Sequence, residues 1–377
     1  MRRVLLTLLL LIALRQPYLY AQTDTLRFRE DGTFKIAQFT DLHLDPGSPG
    51  KDQTLTILRE IITREQPDLV VLTGDVVTRA PAAEGWRSVI RFFTEEQLPY
   101  VVLLGNHDAE TIAKDSIYTL LEGTPYCLSQ RGPVEISGRG NQQLKIIGAK
   151  ESTTKALLYL IDSNQYYHDQ SLSHYDIIHF DQIEWLRRVH TETQKEIGDD
   201  TLPALLFFHI PIPEYSILSD DKEVVGEMRW RVNSPAINSG LFSTMLEMKG
   251  VMGAFCGHDH SNDAIGLYKG LALGYGRVSG IDAYEGLSRG GRIIVLYEGE
   301  QRFDTYVVIS GVEQKGPIFR YSRWTNTEGY ITVISVMQPS EINSGDYSPR
   351  SSRERMISLV SIRGMWKGPL KRLPLAG

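Results

Sequence analysis

Thr33-Phe34-Lys35-Ile36-Ala37-Gln38-Phe39-Thr40-Asp41-Leu42-His43 joins a short, mostly apolar run to a polar triplet with two side chains that can bind a cation. A run of this length, bounded by polar residues, reads as a strand, here Thr33 to Phe39. The pattern recurs. Asp68 to Leu72 leads into Gly74-Asp75, and Tyr100 to Leu104 into Gly105-Asn106-His107-Asp108. Ala204 to Phe208 leads into His209, and Val251 to Phe255 into Gly257-His258-Asp259-His260. Further strands are expected at Leu144 to Ile147 and Leu157 to Ile161. Amphipathic stretches from Thr54 to Glu65, Glu84 to Glu96 and Asp181 to about Thr193 read as helices, the first closed by Pro67. Strands alternating with helices up to about Ile309 imply an α/β layered fold. Ligands in such sheets bind beyond the carboxyl ends of strands, so five polar segments should converge on one rim.

The bulk properties narrow the function. A chain of 377 residues with 42% hydrophobic content can bury a large core. Its net charge of −6 argues against a protein that grips nucleic acid, which requires a basic surface, and no nucleic-acid partner is expected. Cys127 and Cys256 are the only cysteines, so neither a disulfide framework nor a cysteine-rich zinc site is in play, and both read as buried thiols. Arg2 and Arg3 precede an apolar run from Val4 to Leu14, with a small residue at Ala21. That is the layout of a secretory signal peptide over residues 1–21; an uncleaved anchor is the alternative. The run is shorter than the ~20 residues a membrane span needs, so the mature chain is expected to have no span and to be secreted or periplasmic. From about Gln338 the chain turns rich in Ser, Pro, Gly and Arg and reads as loop or tail, in which Arg363, Lys367, Lys371 and Arg372 are either solvated or touch an anionic surface.

Aspartate, asparagine and histidine without cysteine or methionine form a donor set for Zn, Fe or Mn. Asp41, His43, Asp75, Asn106, His209, His258 and His260 are seven candidates, too many for one four-coordinate ion and suited to two. Two metals side by side clamp the attacking and leaving oxygens of a displacement at phosphorus. Asp75 is the natural carboxylate bridge. His258 and His260 point the same way if extended and to different ions if the chain turns after Gly257.

Taken in order, Asp41-x-His43, Gly74-Asp75, Gly105-Asn106-His107-Asp108, His209 and Gly257-His258-x-His260 resemble the motif set of the calcineurin-like metallophosphoesterases, across about residues 33 to 300. The resemblance implies an αββα sandwich with a dinuclear centre at the strand ends. It implies that Asp41, His43 and His260 hold one metal, that Asn106, His209 and His258 hold the other, and that Asp75 bridges them. Residues 22–312 would form the catalytic domain and 313–377 an extension of uncertain structure. The opening Ile36 to His43 is similar to the purple acid phosphatase-like branch. Thr78, however, stands where that branch's colour-giving tyrosine falls, so no tyrosinate-to-iron absorption band is expected.

The expected activity is hydrolysis of small phosphate monoesters by a hydroxide between the two metals. His107 is the candidate general acid for the leaving oxygen, with Asp108 orienting its ring; His107 acting only through neighbouring groups is the alternative. A phosphodiesterase would use the same constellation, and a non-catalytic metal-dependent binding protein would keep the fold alone. His168, His174, His179 and His190 read as surface or loop residues. Tyr166 and Tyr167, or Trp230 and Arg231, are candidates to line a substrate pocket.

Overall fold

A computed structural model describes residues 25–221, 224–284, 286–326, 329–337 and 360–361. The expected leader at 1–21 and the basic tail residues Arg363, Lys367, Lys371 and Arg372 lie outside the described residues.

Strand β2 (Thr33–Phe39) has the bounds expected from the sequence. Both of its faces are covered. Phe34 and Ile36 point into one apolar cluster, Ala37 and Phe39 into another. The same split holds for β3 (Leu69–Thr73) and β4 (Tyr100–Leu103), and for β6 (Thr154–Leu160), β7 (Ala204–Phe207) and β8 (Val251–Cys256). Burial on both faces is why these strands read as nearly continuous apolar runs. β2, β3 and β4 pair in parallel, as do β6, β7 and β8, so all six send their carboxyl ends the same way within their sheets.

The two triplets anchor two sheets. One has the order β1-β5-β6-β7-β8-β10-β9, where β1 is Leu26–Arg27, β5 Gln142–Ile147, β9 Ile265–Tyr268 and β10 Leu271–Tyr275. The other has the order β15-β14-β13-β12-β11-β2-β3-β4, with β11 at Gly290–Tyr297, β12 at Arg302–Ile309, β13 at Ile318–Asn326, β14 at Gly329–Met337 and β15 at Val360–Ser361. Residues 318–337 therefore continue the second sheet beyond β12.

Phe34, Val71 and Leu103 from one sheet meet Leu158, Phe207 and Phe255 from the other in the central layer. Helices α1 (Gly50–Glu65), α2 (Ala82–Glu96) and α3 (Lys114–Leu121) cover the outer face of the eight-stranded sheet, with Leu58, Trp86 and Tyr118 fully buried. Helices α4 (Phe180–Ile197) and α5 (Leu241–Glu247) cover the other through Leu186 and Met245. Each such side chain contributes roughly 1.5–3 kcal/mol. The result is the expected αββα sandwich. Among the described residues no helix is long and apolar enough to cross a membrane.

One expectation about the histidines is corrected. His190 is buried, not at the surface: its Nδ1 lies 2.9 Å from the Tyr159 hydroxyl and its Nε2 2.9 Å from the Lys249 carbonyl. It follows Ile183 and Leu186 on the inward stripe of α4, at helical spacing. Both cysteines are buried thiols, as expected.

Candidate metal centre

The polar segments all lie at strand ends. Beyond β2 the chain keeps pairing with the segment after β3: Asp41 N–H donates to Gly74 O (3.1 Å), His43 N–H to Asp75 O (2.8 Å) and Leu44 N–H to Val76 O (2.9 Å). Within this ladder Asp41, His43 and Asp75 adopt left-handed backbone angles, with φ of 53°, 44° and 50°, and His258 does so after β8 at 77°. Such angles cost on the order of 1–3 kcal/mol per residue and gather at functional sites. Two glycines admit the approach. A Cβ on Gly105 would sit 2.2 Å from Asp75 Oδ1, and one on Gly74 2.3 Å from His209 Nδ1.

Asp108 does not orient His107. Its carboxylate is fully buried and accepts the N–H groups of Val76 (2.8 Å), Val77 (2.9 Å) and Gly105 (2.7 Å), so it fastens the segment after β3 to the one after β4. Burial, helped by the Asp75 carboxylate, pushes its pKa up to about 7 against those three donors. The group beside His107 is Glu110, whose Oε1 lies 2.8 Å from His107 Nδ1. A carboxylate three residues on was a visible signal.

Six of the seven candidate ligands fall into two triads. The ligand atoms of Asp41, His43 and His260 lie within 4.8 Å of one another, and so do those of Asp75, His209 and His258; all six residues are buried. Asp75 Oδ2 stands between the triads, 3.3 Å from His209 Nε2 and 3.5 Å from His43 Nε2. His43 Nε2 and His260 Nε2 face each other at 3.2 Å. The outer nitrogens are occupied: His209 Nδ1–H donates to the Thr73 carbonyl (2.7 Å), His260 Nδ1–H to the Tyr284 carbonyl (2.9 Å), and His43 Nδ1 meets the Thr78 hydroxyl (3.3 Å). Such contacts fix which nitrogen is turned inward.

One inward atom is an orphan. Asn106 Oδ1 is buried with no hydrogen-bond partner, whereas His209 Nε2 has only the Asp75 carboxylate beside it, at 3.3 Å. A buried polar atom left unpartnered costs about 1–3 kcal/mol, and a cation with O and N ligands would engage both. The residues therefore fit a pair of metal ions. Asn106 is held for this by Gln165 Nε2, which donates to its carbonyl (2.8 Å), and by Tyr166 Oη, which accepts from its Nδ2 (3.4 Å).

Charge within the ion-free cluster balances itself. Burial disfavours ionised Asp41, yet His260 beside it lowers its pKa to about 2. Burial likewise opposes protonation of His209, and Asp75 outweighs it, raising the imidazole to about 10. Burial alone dominates at His43 and His258, which fall to about 4 and about 3.

Of the pocket candidates, Tyr166 lies beside Asn106 and Trp230 stacks on Tyr284, which itself packs on His260. Tyr167 packs on His168 and has no ring contact or hydrogen bond with the cluster among the described residues. Arg231 has an exposed side chain. Thr78, Tyr175 and Tyr284, absent from the sequence-based set, complete the surroundings.

The sequence profile of calcineurin-like phosphoesterases matches residues 34–262, a span that contains both triads. The chain belongs to that family. Among its relatives is an Arabidopsis thaliana protein named "Probable inactive purple acid phosphatase 29", 31% identical over 327 residues, covering 78% of this chain and 84% of the relative. "Probable inactive purple acid phosphatase 14" from the same plant is 31% identical over 296 residues, covering 69% and 73%. The fold is also that of a dimetal phosphatase from Danio rerio, with a TM-score of 0.52 at 14% identity, covering 72% of this chain and 95% of the other. Calcineurin-like phosphoesterases act on phosphate esters, and the two triads of this member are candidate sites for two ions.

Proposed function

We propose that the protein is a dinuclear metal-dependent hydrolase of small phosphate monoesters. The observation that carries this reading is the pair of buried triads, joined by Asp75 Oδ2 of one lying 3.5 Å from His43 Nε2 of the other, with Asn106 Oδ1 unpartnered beside them. In this reading Asp41, His43 and His260 hold one ion, Asn106, His209 and His258 the other, and Asp75 bridges. When bound, two ions of the Fe, Mn or Zn type supply a nucleophile from water near neutral pH and offset charge on the phosphoryl oxygens.

The chain supplies the remainder. Thr73, Thr78 and Tyr284 hold the inner imidazoles in the ligating tautomer. His107 is partly exposed, and its ring centre lies 5.6 Å from that of His43. With Nδ1 engaged by Glu110, its Nε2 is the atom that delivers a proton to the departing oxygen. Asp108 keeps the two ligand-bearing loops in register. The leader-like N-terminus supports a secreted or periplasmic location.

One finding favours a second reading. The Arabidopsis relatives carry "inactive" in their names, as a metal-dependent binding protein without turnover would. A phosphodiesterase is the alternative within catalysis, because the same ligands serve both reactions. The test is initial rates of the purified protein, loaded separately with Mn, Zn and Fe, on p-nitrophenyl phosphate and bis-p-nitrophenyl phosphate, beside Asp75→Ala. Faster monoester turnover, abolished by Asp75→Ala, is the expected result. Diester preference moves the assignment to phosphodiesterase, and two bound ions without turnover move it to the binding protein.

A further inference from the structure

Aromatic rings stand beside both triads. At one the Tyr284 ring centre is 4.4 Å from that of His260, and Trp230 lies 6.4 Å from Tyr284 with the planes 26° apart. At the other, Tyr175 meets His258 edge-on at 4.5 Å, and Tyr166 lies 6.1 Å from Tyr175 with planes 23° apart. Tyr284 is 55% exposed and Tyr166 38%, unlike the large aromatics of the three core layers. Packing of the fold does not call for exposed rings here, and exposed apolar surface gathered beside a candidate metal centre marks ligand contact.

Trp230 is also held in place. Buried Asn262, two residues after the candidate ligand His260, accepts the N–H groups of Arg229 and Trp230 (both 3.0 Å) and donates to the Trp230 carbonyl (3.1 Å). The segment bearing the indole is thereby fastened to the loop bearing His258 and His260, so ring and reacting centre keep a fixed separation.

We propose that Trp230 and Tyr284 beside His260, together with Tyr166 beside Asn106, form a stacking platform that selects phosphate esters whose esterifying group is a flat aromatic ring, as in arylmethyl or nucleoside phosphates. The proposal rests on the hydrolase reading for its substrate, but the platform binds the ring whether or not turnover follows. Rings that merely shield the centre would treat aromatic and saturated esters of equal size alike. A platform does not.

Benzyl and cyclohexylmethyl compounds differ in the π face while matching in size and in leaving-group type. A single aromatic pair is worth a preference of about two- to twelve-fold. The test has two arms on the manganese-loaded protein: calorimetric binding of benzylphosphonate and cyclohexylmethylphosphonate, and kcat/KM for the corresponding phosphates. A benzyl preference of about five-fold in both arms is expected, shrinking toward unity in Trp230→Ala and in Tyr284→Leu, two variants so that misfolding of one leaves the other decisive. Equal affinity for the two phosphonates, or binding of neither, overturns the platform whatever the rates. Selective binding without turnover of either phosphate keeps the platform and sinks the hydrolase reading. Preference unchanged in both variants overturns the assignment to these residues.

Discussion

Gly105→Ala adds one methyl group at the point where the segment after β4 passes the segment after β3. The new Cβ would lie 2.2 Å from Asp75 Oδ1 and 2.4 Å from the Asp75 backbone nitrogen. An ordinary contact begins at 3.4 Å, so either the carboxylate or the chain must move by about 1.2 Å, the difference between the two distances. Backbone cannot yield far, because His107 N–H and the Asp108 carboxylate bind the two segments to each other. The carboxylate must swing away, and the nitrogen at 2.4 Å strains that clasp as well, so Asp75 is displaced either way. Metal–ligand distances tolerate only about 0.2 Å, so affinity for at least one ion should fall by about 10- to 100-fold, the range that follows loss of a positioning contact. Overpacking should also cost about 1–3 kcal/mol. Calorimetric titration of the metal-free variant with manganese, beside urea unfolding in chelator, measures both. Gly47→Ala is the control, since its Cβ would meet only Asp45 Oδ1 at 3.4 Å. Wild-type affinity for both ions in Gly105→Ala would refute the placement of Asp75 between the triads.

Thr78→Val removes the hydroxyl beside His43 Nδ1 and should weaken one ion about ten-fold in chelator competition without changing the free energy of urea unfolding by more than about 1 kcal/mol. Glu110→Gln weakens the partner of His107; kcat should drop several-fold on alkyl phosphates and little on p-nitrophenyl phosphate, with metal content intact, and equal loss on both would exclude the acid role. Glu65 gives a pH signature: burial opposes its ionisation, but Tyr306 and Lys315 donate to it and hold its pKa below the ordinary 4.5. Stability from this group is therefore complete above about pH 4.5 and is lost as pH falls through the lower folded-state value. Tyr306→Phe should cost about 1–2 kcal/mol in urea unfolding at pH 7 and converge on wild type as pH falls through the lowered Glu65 value; a gap that stays constant as the pH is lowered would contradict the assignment.

The parallel strands were legible because both of their faces are buried, which leaves long apolar runs ending abruptly at ligand residues; β2 matches to the residue. The antiparallel strands β11, β12 and β13 were not, because charge inside them disguises burial. Arg292 lies fully within β11 at 2% exposure, its guanidinium donating to the Tyr275 and Asp263 carbonyls, and Arg320 in β13 pairs with Asp304 of β12. Asp108 shows the limit at the site: its residue type suits acid–base chemistry, yet two of its three partners are backbone groups about thirty residues away that no local spacing reveals. His190 was legible and was misread, since its distance from Ile183 and Leu186 is that of a helix's buried stripe.

The ladder that carries β2 and β3 onward past their ends, with the Asp108 clasp beneath it, gives the site its shape from the chain alone. Contacts between backbone groups, and between a carboxylate and backbone, do not depend on what the site's side chains bind, so a chelator should strip the proposed ions without unfolding the domain, as circular dichroism in excess chelator would check. The identity of the ions would be decided by supply at the moment of loading, and a single preparation could be emptied and refilled with different metals in turn.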